Sequence, residues 1–167
     1  AYWAVFSGAC GHTYGCHAIW QFCQPGREPK NFPLTSWREA LDLPGAGQMR
    51  HLRKLVEAKP YLTRIPDQPL LLKGPQEEWR HIAVTSDRTP GQKNATFIMA
   101  YFPHNAEATF DTSVLGKPIL RVAWFDPRTG ATHDQGVREN TGELKIVPPS
   151  QIHPIDWVLV LTAETPS

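Results

Sequence analysis

From Arg80 to Ala163 the chain is a succession of short segments rich in Val, Ile, Phe, Trp and Thr. They are Arg80 to Ser86, Ala95 to Phe102, Glu107 to Asp111, Ile119 to Phe125, Glu143 to Val147 and Trp157 to Ala163, with turn residues between them. Segments of that length and composition at even spacing predict an antiparallel β-sandwich. Phe97, Met99 and Tyr101 alternate with Ile98, Ala100 and Phe102, so both faces of this strand are apolar and it is central. Trp124-Phe125-Asp126-Pro127-Arg128-Thr129-Gly130 is a hairpin signal, with Pro127 suited to a type I turn and Gly130 to a positive φ. Sixteen prolines in 167 residues favour loops and sheets over long helices.

The first 65 residues follow another pattern. Ala1 to Ser7 reads as the last two turns of a helix with no N-cap residue, so the chain reads as the C-terminal portion of something larger. A small protein with a frayed N-terminus is the alternative. Gly8 to Phe22 then holds three glycines, two histidines, a tyrosine and a tryptophan. As a strand, Gly11 to Gly15 places His12 and Tyr14 on one face and Gly11, Thr13 and Gly15 on the other. Glycines in a strand suggest close approach of a backbone or a ligand, and hydrogen-bond donors beside a flat aromatic suit a sugar-binding cleft. Residues 24–44 are loop, apart from a short helical turn around Thr35 to Leu41, where Ser36 and Glu39 are spaced as a capping box. A longer helix runs from Ala46 to Ala58, with Met49, Leu52, Leu55 and Val56 as its apolar stripe, and Pro60 ends it.

A net charge of +1 argues against a nucleic-acid footprint, and no apolar run is long enough for a membrane span. The three cysteines, Cys10, Cys16 and Cys23, form no disulfide framework. With His12 and His17 they are of zinc-ligand type, but no C-x-x-C or H-x-x-x-H spacing occurs, so no metal and no cofactor is expected.

These segments resemble the C-terminal part of the apiosidase-like glycoside hydrolases (glycoside hydrolase family 140 and relatives). The resemblance is carried by Tyr2-Trp3-Ala4, Gly8-Ala9, Gly11-His12-Thr13-Tyr14-Gly15, Ile19-Trp20-Gln21 and Pro44-Gly45-Ala46 with Met49. Trp124 to Gly130 and Asp156-Trp157-Val158-Leu159 extend it. It covers nearly the whole chain. It implies α/β plus all-β architecture: residues 1–65 as the last strand and helices of a (β/α)8 TIM barrel, and residues 66–167 as an antiparallel β-sandwich. Gly11 to Gly15 would be the eighth barrel strand, with the helix from Ala46 outside the barrel. The sandwich matches a domain labelled collagen-binding, although nothing in these residues supports collagen binding.

Such enzymes resemble retaining hydrolases that use two carboxylates. Both would lie on earlier barrel strands, supplied by a preceding or companion chain, so no catalytic residue is assigned here. Glu28, Glu39 and Asp42, the carboxylates nearest the barrel segment, read as solvated, and this chain alone is expected to be inactive. What remains is one wall of a cleft for an oligosaccharide or polysaccharide, built from His12, Tyr14, His17 and Trp20 near a strand's C-terminal end. Trp20 is the candidate for stacking on a sugar ring, Tyr14 for donating its hydroxyl, and His12 is as well read as an interior histidine. The alternative is a non-catalytic carbohydrate-binding or structural module. It would need exposed aromatics on the sandwich, and Trp79, Trp124 and Trp157 all read as core.

Overall fold

The computed structural model describes residues 1–149 and 155–165. All six expected segments form strands, and three further strands join them. In chain order these are β1 (Ile65–Pro66), β2 (Leu71–Lys73), β3 (Ala83–Ser86), β4 (Phe97–Phe102), β5 (Ala108–Asp111), β6 (Ile119–Phe125), β7 (Thr132–Glu139), β8 (Glu143–Ile146) and β9 (Trp157–Glu164). They build two antiparallel sheets, β1-β3-β4-β9-β6-β7 and β2-β5-β8. The expected segment from Ala95 is strand only from Phe97: the Thr96 amide donates to Asp87 at 2.7 Å instead of to a strand, while Thr96 O still accepts from the Ala163 amide at 2.9 Å.

Side-chain alternation sorts the large sheet into two cores. Ile98, Ala100 and Phe102 of β4, Leu120, Val122 and Trp124 of β6, and Leu159 and Leu161 of β9 point inward. They meet Phe110 of β5 and Leu144 and Ile146 of β8 from the small sheet. Phe102 packs edge-on against Trp124 at 5.2 Å, and Trp124 against Trp157 at 6.4 Å. β4 is central and apolar on both faces, as its sequence indicates.

The outer face of the large sheet is equally dry. Phe97, Met99, Phe125, Val158 and Val160 are buried there under two helices. One is α1 (Tyr2–Phe6), which contributes Tyr2, Val5 and Phe6. The other, α4 (Pro44–Glu57), contributes Leu52 and Leu55. Between them lie two single turns, α2 (His17–Trp20) and α3 (Trp37–Ala40). The Ala46 helix therefore starts two residues earlier than expected, with Pro44 in its first turn, where proline costs no hydrogen bond. Its fully buried side chains face the sandwich, while Met49 and Val56 are half-buried.

Polar contacts fasten the same junction. Arg64 Nη1 donates to Val5 O at 2.8 Å, placing a cation at the negative C-terminal end of α1. Trp3 Nε1 donates to His81 O at 2.8 Å, and Lys59 Nζ to Thr162 Oγ1 at 2.9 Å. Gly8 ends α1 with φ 102°: its amide bonds Val5 O and the Ala9 amide bonds Ala4 O, the paired bonds of a Schellman cap. A Cβ on Gly8 would lie 2.9 Å from Pro66 Cγ, so the first strand of the sandwich runs close beneath this turn.

Two expectations are corrected. Residues 11–15 form no strand. A strand exists only where its amides and carbonyls find ladder partners, and no strand of the described residues pairs with this segment. Trp79 is not core; it projects from a 3₁₀ turn, Glu78–Arg80, and is 64% exposed. Trp124 and Trp157 are buried as expected.

Candidate functional site

The glycine-rich stretch after α1 and the single turn α2 hold the four candidate residues, and the structure divides them. His17 and Trp20 stand together on α2. Trp20 Nε1 donates to His17 Nδ1 at 3.1 Å, and the rings meet edge-on at 5.9 Å. The indole is thus held in one orientation while the residue stays 56% exposed. With Nδ1 accepting, neutral His17 carries its proton on Nε2.

Tyr14 is separate from that pair. Its ring lies over the first turn of α4, where a Cβ on Gly45 would come within 2.9 Å of Tyr14 Oη. His12 is exposed rather than interior. With Met49, Leu52 and Val56 of α4 and Val5 of α1 it lines a pocket of about 290 Å³. An extended segment with no ladder to bury it leaves its side chains in solvent, which accounts for His12.

Other residues shape the surroundings of Trp20. Gln21 Nε2 donates to His17 O at 2.8 Å and Lys30 O at 2.9 Å, and Gln21 Oε1 accepts from the Lys30 amide at 2.8 Å. Gln21 thereby folds the 24–30 loop back onto α2. The result is a recess of about 230 Å³ beside Trp20, into which Arg27, Glu28 and Lys30 bring charge. Sequence reasoning missed Gln21, Arg27 and Lys30. The one available signal was an amide side chain next to the candidate tryptophan, since an amide can bind two backbone groups at once. Below the recess, Phe22 packs edge-on against Trp37 at 5.6 Å, and Arg38 lies over the Trp37 ring at 4.4 Å.

Chemically this arrangement can bind more readily than it can transfer protons. Glu39 accepts from the Thr35 hydroxyl and from the Ser36 hydroxyl and amide, and these bonds hold its carboxyl below the usual glutamate range. It completes the capping box of α3. Glu28 and Asp42 are exposed. Cys10, Cys16 and Cys23 are free thiols, and among the described residues no group of three or more His, Cys, Asp or Glu is placed to hold a metal ion. No helix of the described residues is long and apolar enough to cross a membrane.

Comparison with known proteins divides the chain close to where its sequence pattern changes. Residues 1–63 match the family model described as "Apiosidase-like, catalytic domain". Residues 65–162 match the one described as "Putative collagen-binding domain of a collagenase". A solved structure described as "Glycoside hydrolase" superposes with a TM-score of 0.87 at 29% identity, over 98% of this chain and 35% of its own. A glycoside hydrolase family 5 structure from Bacteroides vulgatus ATCC 8482 superposes with a TM-score of 0.86 at 25% identity, again over 98% and 35%. The chain therefore spans about a third of the length of these structures. No curated protein matches it.

Proposed function

This chain belongs to the collagen-binding-domain family through residues 65–162 and is glycoside-hydrolase-like, with residues 1–63 matching the apiosidase-like catalytic domain, and from that premise we propose that it is the C-terminal part of a glycoside hydrolase acting on plant-type or other complex polysaccharide side chains. Its contribution is one wall of the sugar cleft and a sandwich that braces it. The observation that carries this reading is Trp20, an exposed indole locked by His17 at the rim of a recess holding Arg27, Glu28 and Lys30. A rigid ring face beside charged donors and acceptors is what a sugar needs, because its C–H face is apolar and its rim is hydroxyls.

The remainder of the site, including the two carboxylates of a retaining mechanism, belongs in this proposal to the barrel portion that packs against residues 1–63. The distribution of apolar surface supports such a neighbour. Phe22, Phe32, Leu34, Leu41, Tyr61 and Leu62 are all exposed here, whereas the sandwich exposes few large apolar side chains. A concentration of exposed apolar side chains in one part of a chain is what a contact face there would leave. The test is Trp20→Ala in the complete enzyme. We expect kcat/KM on its oligosaccharide substrate to fall by about 5- to 150-fold, the equivalent of roughly 1–3 kcal/mol of lost stacking, with an unchanged circular dichroism spectrum. An unaltered kcat/KM would overturn the assignment of Trp20 to the cleft.

A further inference from the structure

Of the three sandwich tryptophans, Trp79 alone stands in solvent. Its presentation is built rather than incidental. Glu78, immediately before it, has φ 46°, a left-handed conformation that a residue with a Cβ adopts only when its surroundings impose it. The turn is tied on both sides: the His81 amide bonds Glu78 O at 3.2 Å, the Ile82 amide bonds Pro75 O at 3.1 Å, and Trp3 Nε1 reaches His81 O. Behind the indole, the His104 ring sits 5.5 Å away at 53° and accepts from Arg80 Nε at 3.3 Å.

That leaves specific groups unused. Among the described residues, the Trp79 indole N–H and the terminal N–H groups of Arg80 have no hydrogen-bond partner, and Glu77 spends one carboxylate oxygen on the Gln76 amide. A flat apolar face is thus flanked by a guanidinium held on His104 and by the Glu77 carboxylate, which acts on both Arg80 and His104. An apolar protein surface laid on Trp79 would strand these charges without water. A sugar would not, because each hydroxyl can both donate to a carboxylate and accept from a guanidinium. The Glu77 carboxylate offsets the Arg80 cation, so an uncharged sugar fits better than a uronate.

We propose that Trp79 is the platform of a second glycan-binding site, on the sandwich and outside the cleft, which takes a neutral sugar residue of a polysaccharide. The ring stacks on the indole, and its hydroxyls bond Arg80 and Glu77. This rests on reading the protein as part of a polysaccharide-degrading enzyme. One aromatic platform binds weakly by itself, and its use is to raise the effective concentration of polymer at the cleft.

The test is affinity gel electrophoresis of the 167-residue chain through gels cast with xyloglucan, arabinan, galactomannan or polygalacturonate. At least one neutral polymer is expected to retard the chain. Trp79→Ala should restore free mobility and Trp79→Phe should keep part of the retardation, with circular dichroism unchanged in both. Absence of retardation, retardation by polygalacturonate alone, or equal retardation of Trp79→Ala overturns the proposal. Retardation lost in Trp20→Ala but kept in Trp79→Ala also overturns it and leaves the cleft reading standing. Turnover by the complete enzyme judges that cleft reading separately.

Discussion

Asp126 and Asp156 lie within electrostatic reach of each other at the helix–sandwich junction and titrate in opposite senses. Burial pushes Asp126 up, but bonds from the Arg128 side chain and amide outweigh it and hold the carboxyl below the usual aspartate range. Burial also acts on Asp156, and there it prevails over the bond from Tyr101, so this carboxyl is raised. A lowered carboxyl stabilises the fold above its ordinary value of about 3.9, and that contribution is lost as the pH falls through its folded value. A raised one costs stability as the pH rises through its folded value. Asp126→Asn should therefore destabilise the protein at neutral pH by about 1–3 kcal/mol, the usual worth of a hydrogen bond to a charged group. Thermal melts between about pH 7 and pH 2.5 should show the gap from the parent protein closing on the acid side. A gap that does not change with pH would overturn the assignment. Of the candidate site, the sequence exposed Trp20 and His17 as candidates but not the turn α2 that pairs them. It could not show that Gln21 ties down the loop beside them, because the bond to Lys30 depends on how residues 24–30 fold back.

At the level of elements, the hairpin between β6 and β7 couples the sandwich to α4. Gly130 has φ 73°, and a Cβ there would lie 2.3 Å from His51 Nδ1 on α4. Gly130→Ala should cost about 1–2 kcal/mol for the left-handed backbone and more for the clash. Adding His51→Ala should recover the clash part only, so a double-mutant cycle read by urea melts should give a non-zero coupling. Additive effects would place the ring elsewhere. The same hairpin shows what was legible. Pro127 and Gly130 announced the turn, and the apolar run Ile119 to Phe125 delimited β6 at both ends. β7, its partner, went unread because Thr132–Glu139 is exposed nearly throughout and carries no alternation. Its backbone pairs with β6 around a bulge between Arg121 and Ala123, and Arg121 reaches Asp134 at 2.6 Å. Hydrogen bonding and surface charge hold that strand, and neither leaves a hydrophobic pattern. The expected strand at residues 11–15 failed for the converse reason, a suitable pattern without a neighbour.

Across the whole molecule, the division at residue 65 separates two sequence patterns without separating two cores. Phe97, Met99, Phe125, Val158 and Val160 are buried only because α1 and α4 lie over them. A fragment of residues 66–167 would leave that face uncovered. The inter-sheet core is complete within that fragment, so we expect strand structure by circular dichroism. We also expect stronger binding of a hydrophobic dye, and more self-association on size-exclusion chromatography, than the 167-residue chain shows. A monomeric fragment that binds no dye would overturn this. The covered face also sets what can be inherited as a unit. A recombination event that moved the sandwich alone to another enzyme would deliver a greasy sheet with no lid. Only one that carried the sandwich with the two helices would deliver that sheet face covered, so gene shuffling that keeps it dry must cut upstream of Tyr2 rather than at the visible seam.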